Sequence, residues 1–213
     1  MQWRLLADVP EEEVRLLLSI ARRRSFDRGE VVFHRDDPGD SLHLVAAGHF
    51  AVRITSPLGD TVTLAVRGPG DSFGEMALVG AEPRRSATVE ALDRAETFAV
   101  YQADFERLRH DQPAIGDVVI TVLVGVVHEL GERLLEALYV PSERRVLRRL
   151  VGLASVYDGG EFPLTQQELA SCAGASRGTV NRVLREEQRR GTLELRRGKT
   201  IVVDLDAIRR RAR

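Results

Sequence analysis

Cysteine, lysine and aromatic residues are all scarce in this chain of 213 residues. The single cysteine, Cys172, excludes an internal disulfide and any iron–sulfur cluster that needs several thiolates from one chain. Long apolar runs are missing too. The longest, Val118 to Val127, is broken by Thr121 and Gly125 and falls well short of the roughly 20 residues that cross a bilayer. The start, Met1-Gln2-Trp3-Arg4-Leu5-Leu6-Ala7-Asp8, lacks the apolar core and small-residue cleavage site of a signal peptide, so a cytoplasmic protein without membrane partners is expected. His34, His43, His49 and His110 show no ligand spacing, which predicts no metal site and no permanently bound cofactor. No nucleophile elbow or metal-hydrolase motif is present, and no enzymatic activity is expected.

A net charge of one sign is also nearly absent, at −1, but this balance conceals a division. Residues 1–141 carry 15 basic and 23 acidic side chains, whereas residues 142–213 carry 16 and 9, an excess of +7. A basic block on an otherwise acidic chain is the electrostatic footprint of a nucleic-acid-binding domain, because each phosphate neutralised releases counterions. An ordinary charged surface fits the same composition.

What the chain does contain is organised in two styles. Residues 29–101 hold short β-rich runs punctuated by glycine, with an alternating stretch at His43-Leu44-Val45-Ala46, the pattern of an antiparallel barrel or sandwich. Pro57-Leu58-Gly59-Asp60 reads as a hairpin loop between Val52–Thr55 and Val62–Val66. Val9-Pro10-Glu11-Glu12-Glu13 opens a short helix, its acidic first turn favoured by the macrodipole. From Pro113 the period changes. Ile120, Val127 and Leu134 recur every seven residues with Leu123, Leu130 and Ala137 between them, an a/d seam that could lie on its own domain or face a twin helix. Tyr139-Val140-Pro141-Ser142 ends that helix and marks a hinge, so the expected domains are 1–112, 113–141 and 142–213.

Two segments carry chemistry. Thr165-Gln166-Gln167-Glu168 fits a capping box, Gly174 a helix terminus, and Ser176 the N-cap of a second helix running towards Arg189. Two short helices about a glycine-containing turn make a helix-turn-helix, whose second helix offers Arg177, Asn181 and Arg182 to base edges while Val180, Val183 and Leu184 face inward. Thr192–Arg196 and Thr200–Val203 then flank Arg197-Gly198-Lys199 as a two-stranded wing with a basic tip for phosphate contact. The other segment is Phe73-Gly74-Glu75-Met76-Ala77-Leu78, followed by Arg84-Arg85-Ser86-Ala87. Gly74 permits close backbone approach, Glu75 through Val79 can form one helical turn with free amides aimed at an anion, and Arg85 can supply counter-charge. Taken alone, this second segment fits a surface loop with a salt-bridged arginine equally well.

Together, in this order, Gly74-Glu75-Met76-Ala77-Leu78 with Arg85-Ser86-Ala87, Thr165–Ala170, Ser176-Arg177-Gly178-Thr179-Val180 and Gly198–Val203 resemble the CRP/FNR family of bacterial transcription regulators over nearly the whole chain. The resemblance implies an α+β protein: an amino-terminal cyclic-nucleotide-binding β-roll of jelly-roll type, a long dimerisation helix and a carboxyl-terminal winged helix-turn-helix. It also implies that Glu75 takes a ribose hydroxyl, that Arg85 and Ser86 hold a cyclic phosphate, and that Gly74, Met76 and Ala77 supply backbone amides. Thr165, Gln166, Ser176, Arg177, Gly178, Thr179, Asn181, Arg182 and Lys199 would meet double-stranded DNA. Ile120, Leu123, Val127, Leu130 and Leu134 would join two copies, with RNA polymerase as a further partner on a palindromic promoter site.

The chain departs from the family pattern twice. Cyclic-AMP-binding members place a threonine and a serine on the long helix against adenine, whereas Leu130 and Gly131 occupy those positions here, with His128 nearby as a substitute. The pocket then takes another cyclic nucleotide, holds cyclic AMP by other contacts, or is vestigial. Glycine at Gly178, where a glutamate would accept from cytosine, removes one item of direct readout. The expected function is a homodimeric regulator controlled by a cyclic nucleotide, cyclic AMP foremost. A different effector, an empty pocket or a binding module without DNA contact are the alternatives.

Overall fold

The computed structural model describes residues 3–7, 9–56, 59, 61–79, 83–112, 115–157, 160–196 and 198–213. The expected hairpin loop at Pro57–Asp60 falls, apart from Gly59, outside them, as does Arg197 of the wing tip. Two compact units emerge, Met1–Ile54 with Val66–Gly131, and Thr55–Ala65 with Glu132–Arg213.

In the first unit, β1 (Arg22–Phe26), β8 (Ala95–Tyr101), β3 (Ser41–Ala47) and β6 (Ser72–Phe73) form one sheet in that order, through antiparallel pairs. A second sheet holds β2 (Val31–Phe33), β7 (Thr88–Ala91) and β4 (Phe50–Thr55) in that order, while β5 (Thr61–Arg67) straddles the boundary between the units. Phe26, Val45, Phe50, Phe73, Val89, Ala91 and Ala95, drawn from both sheets, pack as one core. This is a β-roll. Each large side chain buried there contributes about 2 to 3 kcal/mol relative to exposure.

Strand β3 does not alternate between core and solvent, because its sheet is covered on both faces. Every residue from Ser41 to Val45 is buried. Leu42 and Leu44 join Trp3, Leu17, Val100 and Phe105 in a second core built with α1 (Glu11–Ser19) and α2 (Gln102–Asp111), while Val45 belongs to the inter-sheet core. His43 is trapped among the aromatic rings, stacked on Phe73 with centroids 5.0 Å apart. Its ring nitrogens lie 3.2 Å from Ser41 Oγ and 3.0 Å from Thr97 Oγ1, so the neutral imidazole is fully hydrogen-bonded. Burial first, and the Arg85 charge second, push its pKa down to about 3.

Helix α3 (Ile115–Tyr139) is a single rod of 25 residues, about 37 Å long. The seam residues Ile120, Val127, Leu130 and Leu134 are exposed on it, Val127 to 68 %. Leu123 is half-buried and lines a cavity with Leu78 and Val119. The compact units divide within this helix, after Gly131, whereas the sequence pattern puts a boundary at Tyr139–Pro141. Glu136 near the end of α3 is paired with Arg149 at 2.7 Å and with Arg148.

The second unit packs α4 (Ser142–Val156), α5 (Gln166–Ala173), α6 (Arg177–Arg189) and α7 (Leu205–Ala212) beside a sheet ordered β10 (Leu193–Arg196), β11 (Lys199–Val202), β9 (Glu161–Phe162). Val146, Leu147, Leu150 and Leu153 form the buried stripe of α4. Arginines of α4 also close other helices. Arg145 donates to Ala173 O at 3.0 Å and Gly174 O at 2.6 Å, and Arg148 to Ala212 O at 2.9 Å, supplying partners for carbonyls that a helix end leaves unpaired. Glu187 of α6, 2 % exposed, is held by Arg211 and Thr192.

His43 gives this fold a pH dependence. Above pH 6.5 the residue is neutral folded or unfolded and contributes no slope. Between pH 6.5 and about 3 the unfolded chain takes up a proton that the folded chain refuses, so stability falls with acid by about 1.4 kcal/mol per pH unit. Urea unfolding at pH 7 and pH 5 should show His43→Gln losing about 2 kcal/mol less than the wild type over that interval. Equal losses in the two proteins would refute the account.

Candidate functional site

Strand β6 ends at Gly74, whose φ of +81° lies in the left-handed region. The chain then makes a four-residue 3-10 turn, Glu75–Leu78, where the sequence leads one to expect a single helical turn over Glu75–Val79. Gly74 is required twice over. A Cβ there would stand 2.8 Å from Arg85 Nη1 and 2.9 Å from Ser41 O, so only a bare backbone lets the arginine pass.

Arg85 is 4 % exposed. It donates from Nη1 to Ser41 O at 2.6 Å and from Nη2 to Asp40 Oδ1 at 2.7 Å and Ser41 Oγ at 3.0 Å. Its guanidinium carbon lies 3.9 Å from the centroid of the Phe33 ring, over its face. Burial lowers the pKa of the guanidinium, and the facing Asp40 opposes that. The terminal nitrogens are thus committed to the protein, whereas Nε is buried with no hydrogen-bond partner. Arg67 Nε is in the same condition. Both arginines line one cavity of about 70 Å³ with Gly74, Glu75, Met76, Ala77 and Ser86. Unpaired buried arginine donors suit an anion, whereas the Ala77 amide is already spent on Gly74 O at 3.1 Å. All six residues expected at the effector site are therefore brought together around this cavity.

Leu130 and Gly131 are exposed, as is His128. The residues that line a second cavity, of about 510 Å³, include Thr121, Val124, Gly125 and Glu129 of α3, together with Arg67, Ser72 and Glu75. Arg67 Nη2 donates to Glu129 Oε2 at 2.8 Å. Sequence reasoning assigned neither Arg67 nor Glu129 to the ligand site. The signal that could have found them is the spacing of Thr121, Gly125 and Glu129 at four-residue intervals, a polar and small stripe beside the apolar seam.

At the other end of the chain, Thr165 Oγ1 accepts from Glu168 N at 3.2 Å while Thr165 N donates to Glu168 Oε2 at 2.6 Å, so the capping box is present. Gly174, with φ of +54°, closes α5, and Ser176 caps α6 by accepting from Thr179 N at 3.1 Å. Such caps stabilise by about 1 kcal/mol each. Val180, Val183 and Leu184 face the core. Arg177 and Gly178 are exposed at the start of α6. Thr165, Gln166, Arg177 and Lys199 line one groove between α5, α6 and the wing. Arg182 is exposed but donates to Glu143 at 2.6 Å, and Asn181 accepts from Arg185 at 3.1 Å. Lys199 pairs with Glu161, and its hydrogen bond and charge hold the Glu161 carboxyl below its ordinary range. Among the described residues no group of three or more potential ligands could hold a metal, and no helix is long and apolar enough to cross a membrane.

A β-roll with an anion-suited cavity, followed by a winged helix-turn-helix, defines a class of DNA-binding transcription regulator. Residues 23–112 match the family model of the cyclic nucleotide-binding domain and residues 144–211 that of the Crp-like helix-turn-helix domain. The chain is 34 % identical over 184 residues to the cyclic AMP receptor protein of Thermus thermophilus, covering 86 % of this chain and 85 % of that protein. It is 32 % identical over 198 residues to the CRP-like cAMP-activated global transcriptional regulator of Mycobacterium tuberculosis, covering 88 % and 87 %. The crystal structure of Thermus thermophilus catabolite activator protein matches with a TM-score of 0.56 at 32 % identity, over 98 % of this chain and 97 % of that one. FixK2 of Bradyrhizobium japonicum shares the fold with a TM-score of 0.77 at 17 % identity, covering 90 % and 96 %. The chain belongs to the CRP/FNR family: it is a cyclic-nucleotide-binding transcription regulator, not an enzyme.

Gly74→Ala should therefore disturb the cradle without touching the DNA-binding unit. The expected outcome is a loss of about 1 to 3 kcal/mol in unfolding free energy, from the left-handed backbone and the close contacts. Circular dichroism melting checks it; an unchanged melting temperature would show that the loop relaxes freely.

Proposed function

We propose that the protein acts in the cytoplasm as a homodimer, joined along α3, that binds cyclic AMP at Arg85, Ser86, Glu75 and the amides of Gly74 and Met76. On this reading, nucleotide binding shifts the equilibrium of the dimer towards a form whose two α6 helices fit successive major grooves of a palindromic site about one helical turn apart. Arg177 and Arg182 then read guanine, Asn181 adenine, Thr165, Gln166, Ser176, Thr179 and Lys199 contact the backbone, and RNA polymerase is the downstream partner. The relatives named for cyclic AMP support the choice of effector.

The observation that carries the proposal is the exposed apolar stripe of α3. Ile120, Val127, Leu130 and Leu134 leave a seam in water that a lone helix has no means to bury, on the same helix that lines the second cavity. Nucleotide and partner helix thus act on one element, which is what coupling between them requires.

A ligand-independent regulator is the second reading, favoured by Asp40 and Ser41 already occupying the Arg85 terminal nitrogens. Calorimetric titration of cyclic AMP into wild type and Arg85→Ala separates the two: saturable binding lost in the variant supports control by the nucleotide, and absence of binding in both supports the second reading.

Two further outcomes are expected. Val127→Glu with Leu134→Glu should sediment as a monomer and lose affinity for palindromic DNA by a hundredfold or more, on the order of 3 kcal/mol; a dimeric variant would place the interface elsewhere. In fluorescence anisotropy, Arg177→Ala should cost about 1 to 3 kcal/mol and relax sequence preference, whereas Lys199→Ala should weaken binding uniformly and reduce the salt slope by about 1.

A further inference from the structure

We infer that Arg67 and Glu129 together form the base-recognition site of the nucleotide pocket, with Glu129 accepting from the 6-amino group of adenine and Arg67 donating to the neighbouring ring nitrogen. This rests on the reading of the smaller cavity as the phosphate site.

The two cavities share Arg67, Ser72 and Glu75 as lining residues, so a ligand anchored at Arg85 and Glu75 extends its base into the larger one. In that space α3 offers little that could read a base. Thr121 Oγ1 is spent on Asp117 O at 3.0 Å, and Val124 has no polar atom. Gly125 leaves room, since a Cβ there would meet nothing within 4 Å. Glu129 remains, paired with Arg67 at 2.8 Å, and Arg67 keeps a buried Nε donor without a partner.

An arginine donor beside a carboxylate acceptor presents the same adjacent donor and acceptor as the amide of asparagine or glutamine, whose bidentate match is adenine. Guanine carries a carbonyl oxygen where adenine carries its amine, and that oxygen would face the Glu129 carboxylate. The pair also explains how adenine is held without a threonine and serine at Leu130 and Gly131. Because Glu129 belongs to α3, the contact that selects the base is made on the helix carrying the dimer seam.

The test removes one group from the ligand rather than from the protein. Cyclic AMP and the 3′,5′-cyclic monophosphate of purine riboside, which lacks the 6-amino group, are titrated calorimetrically into wild type, Glu129→Ala, Arg67→Gln and Arg85→Ala. Wild type should bind cyclic AMP about tenfold or more tightly than the analogue without the amine, as expected for one good base contact. In Glu129→Ala that ratio should fall to about one, and Arg67→Gln should weaken both purine ligands. Equal affinity of wild type for the two ligands, or a preserved ratio in Glu129→Ala, overturns the assignment. If Arg85→Ala binds both ligands as wild type does, the phosphate-site reading is what has failed, and the base assignment falls with it. Melting curves of each variant distinguish a lost contact from a lost fold.

Discussion

Strand β3 cannot touch water from Ser41 to Val45, and the sensory unit is arranged around satisfying what that burial strands. A buried polar group without a partner costs more than most single contacts return. Ser41 O is met by Arg85, the His43 ring by Ser41 and Thr97, and Val45 O by Trp3 Nε1 at 3.1 Å. The first of these hooks the Arg85 segment to the start of the strand. The last ties the amino-terminal segment, and with it the helical layer, to its end. The geometry of the cavity beside Arg85 is thus a by-product of closing a two-sided sheet, and Arg85 is first of all a structural residue.

Features whose cause is local in sequence were legible in advance. The capping box at Thr165 and Glu168, the left-handed Gly174 and the Ser176 cap depend on neighbours within a few residues, and the helix-turn-helix follows from them. The heptad seam of α3 was equally plain, since its period declares itself without a partner present. What escaped is non-local. Arg67 and Glu129 are 62 residues apart, and nothing near either one says that they meet. His43 read as part of an alternating strand, yet alternation fails where helices cover the outer face of a sheet. Helix α7 and the two-residue strand β9 were missed because their periodic signal is too short to separate from a loop.

The basic excess of the carboxyl-terminal third also divides on inspection. Arg145 and Arg148 close helix ends, Arg149 pairs with Glu136, and Arg211 neutralises the buried Glu187. These cations serve packing, so net charge overstates the field presented to phosphate. Arg177, Arg196 and Lys199, which line the groove beside Thr165 and Gln166, are the ones placed to project it.

Lys199 differs from every one of those in a way that charge counting hides. It is the chain's one lysine, and its ammonium sits on the wing against Glu161, with both side chains about half exposed. Guanidinium groups resist acylation; a primary amine does not. Any acyl donor that reaches this protein can therefore erase side-chain cationic charge at the wing and nowhere else, leaving Arg196 as the cation that still opposes the Glu161 carboxylate beside the groove.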